Sequence, residues 1–456
     1  MSGLYGSLSV ALSALLVSQQ ALETSANNVA NANTPGYSRQ RTVLTPGDPV
    51  VLGGLSIGTG VLIQKLESLR DPILELRLNQ ETQNQGQLDA TLGALQQVQV
   101  GFTGTDSGIG DSITKFFDSL QQLSIDPTNL SLRQAVLTAA GNLATNFNTA
   151  SHSLQAQSTN LDLNVVQTVA QINSLTTQIA ALNKQIANLE NVHENASTFV
   201  DQRQEAIRQL SSLIDVSVIQ SDSGITLTTS NGTALVAQDR SFQLTTQVTA
   251  GGIHKVLAGT VDITALVTSG KLGGLLDVRD KRIPTFQTNL DQLAAGLATA
   301  LNTANRAGFD LNGAVGIDLF VPPPVGGVGA AASLSVAIAD PVLVAASSDG
   351  TPGSNGNLAV LSAVRDQAVA GGKKPLDFYS AVLFQVGSDT ANALADSNAS
   401  QLILRQLQDQ RASVSGVSLD EEASNIIRYQ SAYQAAARVV TTVSTMLDLA
   451  VNLGKD

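Results

Sequence analysis

The sequence predicts a mostly α-helical protein with a small β-rich domain inserted in its helical body, and three patterns carry that expectation. Leu8, Leu15, Leu22 and Val29 recur every seven residues near the start, and Leu419, Ile426, Tyr433, Val440 and Leu447 do the same near the end. That spacing keeps one side of a helix facing one partner, so the two ends are expected to pair. Leu161, Val165, Thr168, Ile172, Leu175, Ile179, Leu182, Ile186 and Leu189 alternate spacings of four and three, which predicts a long coiled-coil helical rod. The period then becomes that of strands at Val216, Val218, Ile225 and Leu227, with Ser223-Gly224 and Asn231-Gly232 as turn signals.

Taken in order, residues 4–30 read as one amphipathic helix with a smaller second seam of Leu12, Gln19 and Ala26. The helix ends in an asparagine-rich stretch, Asn27, Asn28, Asn31, Asn33, Thr34, Pro35, Gly36 and Tyr37. Asparagine competes for backbone hydrogen bonds and tolerates left-handed dihedrals, Pro35 donates none, and Gly36 suits a positive φ. Residues 41–63 mix Pro46, Pro49, Gly47, Gly53, Gly54, Gly58 and Gly60 with Val and Leu, and predict short strands forming a hairpin-like arm. Asp71-Pro72 is an N-cap with proline at the first helical position, opening a helix to about Val100. After a break at 101–110, a short helix follows over 111–123, and Asp126-Pro127 is expected to open the longest helix. A second helix over 196–213 packs back, and the strand pattern persists to Val267.

Helix returns over 276–304 with a kink at Pro284 and a seam of Phe286, Leu290, Leu293 and Leu297. The Pro/Gly-rich residues 321–353 suggest short strands completing the β domain, and helices resume at 358–370 and 376–411. Ser418, with Glu421 three residues on, forms a capping box for the last helix, whose second line is Ala423, Gln430, Ala437 and Ser444. Three domains are expected: a terminal helix-pair core from 1–64 and 413–456, a helical rod from 65–213, 272–312 and 354–412, and a β-rich outer domain from 214–271 and 313–353.

Composition excludes several functions. At 456 residues there is room for several cores, yet aromatics are 4% and Trp is absent, which favours long packed helices over a deep ligand pocket. A net charge of -12 with no Lys/Arg cluster rules against nucleic acid and anionic membranes. No apolar run is long enough to insert in a membrane, and the first basic residue is Arg39, so a cleaved secretory signal is not expected. With no cysteine there is neither a disulfide nor a thiolate metal site.

His152, His193 and His254 lie on separate elements without ligand spacing, so no metal or cofactor is expected, and His193-Glu194 is not a zinc-protease motif. Asp201, Arg203, Glu205 and Arg208 read as a surface ion-pair lattice. Asp420, Glu421 and Glu422 suit the first turn of a helix. Tyr429 and Tyr433, four apart, are expected to pack on a neighbour, and Gly251-Gly252 and Gly273-Gly274 read as turns rather than phosphate loops. No catalytic residues emerge, so the chain is not expected to be an enzyme.

The stretch ANNVANANTPGYSRQ at 26–40, together with GVSLDEEASNIIRYQSAYQAAARVVTT at 416–442, resembles the bacterial flagellar hook-associated protein 1 (FlgK) family. Rod and hook proteins carry variants of the first motif; the second narrows the resemblance to the hook-filament junction. GFDLNGAVGIDLF at 308–320 is similar to that family's turn-and-strand, whereas the additional β domain of longer members has no room here.

The resemblance implies a structural axial protein, secreted through the flagellar type III export channel without a cleaved signal peptide, that self-assembles in a ring or tube and joins hook to filament. It implies terminal helices lining an inner core, and as partners the hook protein, the second junction protein and an export chaperone at the C-terminal helix. The alternatives are another axial protein of rod, hook or junction, or a secreted adhesin or enzyme on the same scaffold with its activity in 214–353.

Overall fold

Helix α1 (Ser2–Ala30) runs through Asn27 and Asn28, and residues 31–36 form turns closed by Gly36 at φ +79°. The computed structural model describes residues 2–52, 55–103, 108–192, 194–221 and 224–452. Gly53, Gly54, His193, Ser223 and part of the expected break at 101–110 lie outside the described residues. In the arm, β1 (Gln40–Pro46) pairs antiparallel with β4 (Val61–Ser68), with a register shift at Val43/Leu44, and β2 (Val50–Leu52) pairs with β3 (Leu55–Ile57).

Asp71 caps α2 (Pro72–Thr103), its Oδ1 accepting the N–H groups of Ile73 at 2.9 Å and Leu74 at 3.2 Å. After α3 (Ile109–Leu123), α4 (Leu130–Asn191) is the longest helix at 62 residues, about 90 Å at the ordinary rise per residue. It does not start at Asp126-Pro127. Asn129 is the side chain that accepts the free N–H groups of Ser131 and Leu132, while the Asp126 carboxylate holds Thr128 and Asn129. Of its expected seam, Leu161, Val165, Thr168, Ile172, Ile179, Leu182 and Ile186 are buried, and Leu175 and Leu189 are half-buried.

α5 (Ser197–Leu213) leads into an antiparallel sheet in chain order, β5 (Ser217–Ser221), β6 (Gly224–Thr228), β7 (Ala234–Ala237) and β8 (Arg240–Ser241). A separate sheet is built from β9 (Leu244–Val248), β10 (His254–Ala258) and β11 (Val261–Asp262), with β10 central. α6 (Gly270–Asp277) continues through a π turn at Val278–Arg282 into α7 (Ile283–Arg306). Pro284 cannot donate to the carbonyl one turn back, and the widened turn at Val278–Arg282 falls just before it, where a kink or restart of the helix is expected.

Gly273 and Gly274 lie inside α6 and are not turns. A Cβ on Gly274 would sit 2.4 Å from the Gln87 carbonyl oxygen, so Gly274 lets α6 approach α2 closely, while a Cβ on Gly273 would meet the Thr268 backbone at 2.5 Å. Gly251-Gly252 does form the expected turn, with Gly252 at φ +82°.

Residues 321–353 contain α8 (Ala330–Ser333) and a 3-10 turn at Pro341–Leu343, with only isolated bridges such as Phe320 to Val336. Side chains of α7 bond the backbone just before this segment and at Ala345 within it. Asn302 exchanges two hydrogen bonds of 2.8 Å with the backbone of Phe320, and Asn305 joins the Ile317 carbonyl to the Ala345 N–H. α9 (Gly356–Ala363) ends sooner than its pattern suggests, in a 3-10 turn at Val364–Asp366. Chain beyond it turns on Gly371 and Gly372, both at positive φ, and the Val369 carbonyl lies 2.1 Å from where a Gly296 Cβ would be. α10 (Pro375–Ser415) and α11 (Leu419–Asn452) complete the fold.

The chain forms two compact units, one of Met1–Asn84, Gln171–Gln243 and Ser400–Asp456, the other of Gln85–Ala170 and Leu244–Ala399. In the first, Leu74, Leu78 and Leu407 pack together, and Ile207, Leu210, Leu227 and Leu235 are fully buried. In the second, the α7 seam of Phe286, Leu290, Leu293 and Leu297 is buried, with edge-on ring contacts from Phe102 to Phe286 and from Phe116 to Phe117.

Candidate functional site

The asparagine-rich stretch is organised by one buried amide. Asn28 is 1% exposed; its Nδ2 donates to the Gln40 carbonyl and its Oδ1 accepts the Gln40 N–H, both at 2.9 Å. It therefore gives the first residue of β1 the two bonds that a neighbouring strand would supply. The Tyr37 hydroxyl donates to the same Oδ1 at 2.8 Å, and burial with the nearby Asp201 and Glu422 carboxylates pushes its pKa up to about 12. Asn31 donates to the Asn27 Oδ1 at 2.8 Å and accepts from the Thr34 hydroxyl at 3.2 Å, while Asn33 and Pro35 face solvent. None of these asparagines is left-handed; among described non-glycine residues only Gln238 has a positive φ. Their contribution is side-chain hydrogen bonding.

From the end of the turn, three of four successive residues, Gly36, Ser38 and Arg39, are tied to distant segments of the same unit. Gly36 offers its carbonyl to Arg411 Nη2 at 3.1 Å, and Arg411 Nε pairs with Glu75 at 2.6 Å. Tyr37 reaches back to Asn28, as described. Ser38, fully buried, accepts from Arg70 Nε at 3.0 Å, and Arg70 is paired with Asp201. Arg39 donates its N–H to the Ser415 carbonyl at 2.9 Å, and its guanidinium bonds Glu422 at 2.7 Å and Glu421 at 2.6 Å. Burial disfavours the charge on Arg39, but these two carboxylates overcome it and raise its pKa. The segment thus fastens α1 to the start of α11.

Two expectations change here. Asp201 and Arg203 are buried, at 6% and 8% exposed, and do not belong to a surface lattice; only Arg208 to Glu205 makes the expected neighbour pair, at 2.6 Å. Burial raises the Asp201 pKa despite Arg70, and lowers that of Arg203 to about 10. The capping box is half formed: Ser418 Oγ accepts the Glu421 N–H at 3.4 Å, but the Glu421 carboxylate turns to Arg39. Sequence patterns gave no sign of Ser38, Arg39, Arg70, Glu75 or Arg411 as a set, because their partners lie far along the chain. The one available signal is the run of acids at Asp420, Glu421 and Glu422 where the sequence has few arginines to match it.

α1 and α11 pack together along their lengths. On α1 the buried positions are small or polar, with Ala11, Val17, Ser18, Ala21, Thr24, Ser25 and Asn28 below a tenth exposed. Leu8, Leu15 and Leu22 are half-buried and Val29 is exposed. On α11 the buried line is Glu422, Ala436 and Val443, one residue behind the expected second line of Ala423, Gln430, Ala437 and Ser444. Ile426, Val440 and Leu447 are half-buried, whereas Leu419 and Tyr433 are exposed. Small side chains let two backbones approach, and the larger ones are left at the margin. Tyr429 is half-buried, with the Arg428 guanidinium 4.9 Å from its ring centroid.

In the second unit a cavity of 1030 Å³ is lined mainly by α7 and residues 367–371. Its one carboxylate, Asp291, is fully used by the N–H groups of Gly329 and Ala331, both at 2.9 Å. His254 bonds Asp162 at 2.6 Å, and Asp162 pairs with the buried Arg279 at 2.7 Å. Among the described residues no three His, Asp or Glu side chains converge on a metal position, and no helix is long and apolar enough to cross a membrane.

Comparison with known proteins connects these features. Residues 95–320 match the model of the flagellar hook-associated protein FlgK helical domain. Residues 8–37 match that of the flagella basal body rod protein, and 408–453 that of the flagellar basal body rod FlgEFG protein C-terminal. The chain is 32% identical to flagellar hook-associated protein 1 of Bacillus subtilis, over 99% of each chain. It is 26% identical to that of Escherichia coli, over 97% of this chain and 98% of the relative. The flagellar hook junction protein FlgK from Burkholderia pseudomallei shares the fold, with a TM-score of 0.66 at 18% identity over 74% of this chain and 100% of that one. With that identity to the Bacillus protein over almost the whole of both, and with rod-protein segments at the two ends that meet in one helix pair, this chain belongs to the flagellar hook-associated protein 1 family.

Proposed function

We propose that the chain is a structural element of the bacterial flagellum that polymerises at the hook-filament junction, and that the helix pair with its asparagine-rich turn is the piece through which copies assemble. One observation supports this most: the two terminal helices leave large apolar side chains in water. Leu12, Leu16 and Val29 on α1, and Ile427, Val439, Met446 and Leu449 on α11, are each more than a third exposed. Apolar surface of that extent is unfavourable for a protein that works alone and favourable for one whose neighbours cover it. Residues 1–64 and 413–456 would then be the assembly domain, with 214–271 and 313–353 remaining outside the contacts.

The work is mechanical and needs no catalytic group. Copies of the chain, the hook protein and the second junction protein are the proposed neighbours, and an export chaperone would cover the apolar face of α11 before secretion through the type III channel without a cleaved signal. Electron microscopy of gold-labelled protein on intact flagella tests the location. Label confined to the hook-filament boundary supports the proposal, and label along the hook or the whole filament overturns it.

A further inference from the structure

The sequence contains three Asn-Gly pairs, Asn231-Gly232, Asn312-Gly313 and Asn355-Gly356. Two occupy loops of the same construction. In Thr229–Thr233 the end residues are joined by a backbone bond of 2.8 Å and Gly232 donates to the Thr229 carbonyl at 2.9 Å. In Asp310–Ala314 the corresponding bonds are 2.8 Å and 3.1 Å. Gly232 and Gly313 have φ of +87° and +78°, and both asparagines are exposed.

The loops differ in what holds the asparagine side chain. Asn231 Oδ1 accepts from the Thr233 N–H at 3.0 Å, from the Thr233 hydroxyl at 2.8 Å and from the Thr229 hydroxyl. In the other loop the capping role belongs to Asp310, whose Oδ1 accepts the N–H groups of Asn312 at 2.8 Å and Ala314 at 2.9 Å. The Asn312 amide therefore has no hydrogen bond to any described residue. Asn355 is held too, its Nδ2 donating to the Ser124 carbonyl at 3.0 Å.

We propose that Asn312 is a site of spontaneous deamidation, preferred over the other two in the folded protein. The Gly313 amide nitrogen gives up its proton and attacks Cγ of Asn312, a C–N bond forms, the bond from Cγ to the side-chain nitrogen breaks, and that nitrogen leaves with the proton as ammonia. Water then opens the resulting succinimide at either carbonyl, giving an aspartate or a β-linked isoaspartate. Water is the only co-reactant and ammonia the only by-product. Gly313 has no Cβ to hinder closure of the ring, and the Asn312 side chain breaks no hydrogen bond in rotating towards it. At Asn231 the same rotation breaks the bonds from both threonines. The isoaspartate product lengthens the backbone inside the Asp310 loop and adds a negative charge beside the Asp310 carboxylate, so the bonds that close this loop are lost in that product.

Peptide mapping by mass spectrometry, on full-length protein aged at mildly alkaline pH and 37 °C, tests this. The two loops as unfolded synthetic peptides serve as reference. In the protein, Asn312 should convert at least about fivefold faster relative to Asn231 than the peptides do, the ratio that ordering worth one net hydrogen bond gives. Thr233→Ala should raise the rate at Asn231, and Asn312→Ser should remove the faster product. Equal rates at Asn231 and Asn312 in the protein, or a faster reaction at Asn231 or Asn355, would overturn the assignment.

Discussion

Asn28 and Gln40 are joined through two hydrogen bonds of 2.9 Å, side-chain amide to backbone on both edges, across the turn that reverses the chain after α1. Asn28→Ala leaves the Gln40 N–H and C=O buried without partners and deprives Tyr37 of its acceptor. The expected cost is about 2 to 4 kcal/mol, from two uncompensated backbone groups. Hydrogen exchange of the Gln40 amide checks it, with a loss of protection expected there and in β1.

Arg39 and Glu422 form the other tie between the turn and α11. Glu422 is almost fully buried; Arg39 bonds its Oε1, and its Oε2 has no hydrogen-bond partner among the described residues. Arg39→Met should cost about 3 kcal/mol, since it leaves a buried carboxylate unpaired. The double variant Arg39→Met/Glu422→Leu should recover most of the loss. Urea unfolding of α11, followed by a probe on that helix, distinguishes the two.

Acid should loosen β11. The Thr264 hydroxyl and N–H, and then Lys255, hold the Asp262 carboxyl down to about 2 from its ordinary value of 3.8. A carboxyl with a folded pKa below its unfolded value contributes stability that is present above 3.8 and lost as pH falls towards about 2. Asp262→Asn should flatten that dependence at the Leu257 and Ala258 amides, which pair with β11, as read by exchange between pH 4 and pH 2.

Charge placed on the exposed side of the helix pair should separate assembly from folding. Leu16 and Ile427 are each 65% exposed. Leu16→Glu or Ile427→Glu should leave the monomer's circular dichroism and unfolding within about 0.5 kcal/mol of the parent, while incorporation into flagella fails. Normal incorporation would count against the helix pair as the assembly piece.

The sequence patterns disclosed period and punctuation well. The Leu161 to Leu189 seam, the Asp71 cap and the strand pattern at Val216 to Leu227 all depend on contacts within a few residues, which local spacing encodes. The face of α1 that packs closest was not legible, because heptad leucines mark the apolar side and not the neighbour. Ala11, Ser18, Ala21 and Ser25 are buried for being small, a property that hydrophobic spacing does not weigh. Gly273 and Gly274 looked like a turn because the backbone that requires them belongs to other segments, Thr268 for Gly273 and Gln87 for Gly274. The ring of arginine pairs around residues 36–39 was equally hidden, since Arg39 meets Glu422 across 383 positions. The strands expected over 321–353 are reduced to isolated bridges, in a segment whose Ala345 N–H is taken by Asn305 of a preceding helix.

Hydrogen exchange compared between a verified monomer and the assembled form tests the central proposal most directly. Helices in proteins draw most of their stability from packing, and the close face of α1 buries mainly small side chains, so its packing offsets little more than the entropy of ordering. In an assembly each helix gains neighbours that cover Leu12, Leu16, Ile427 and Met446. The account predicts fast exchange over Leu8 to Val29 and Leu419 to Leu447 in the monomer, protection of Leu161 to Leu189 in both forms, and strong slowing of the terminal helices on assembly. Terminal helices already as protected in the monomer as Leu161 to Leu189, and unchanged on assembly, would contradict it.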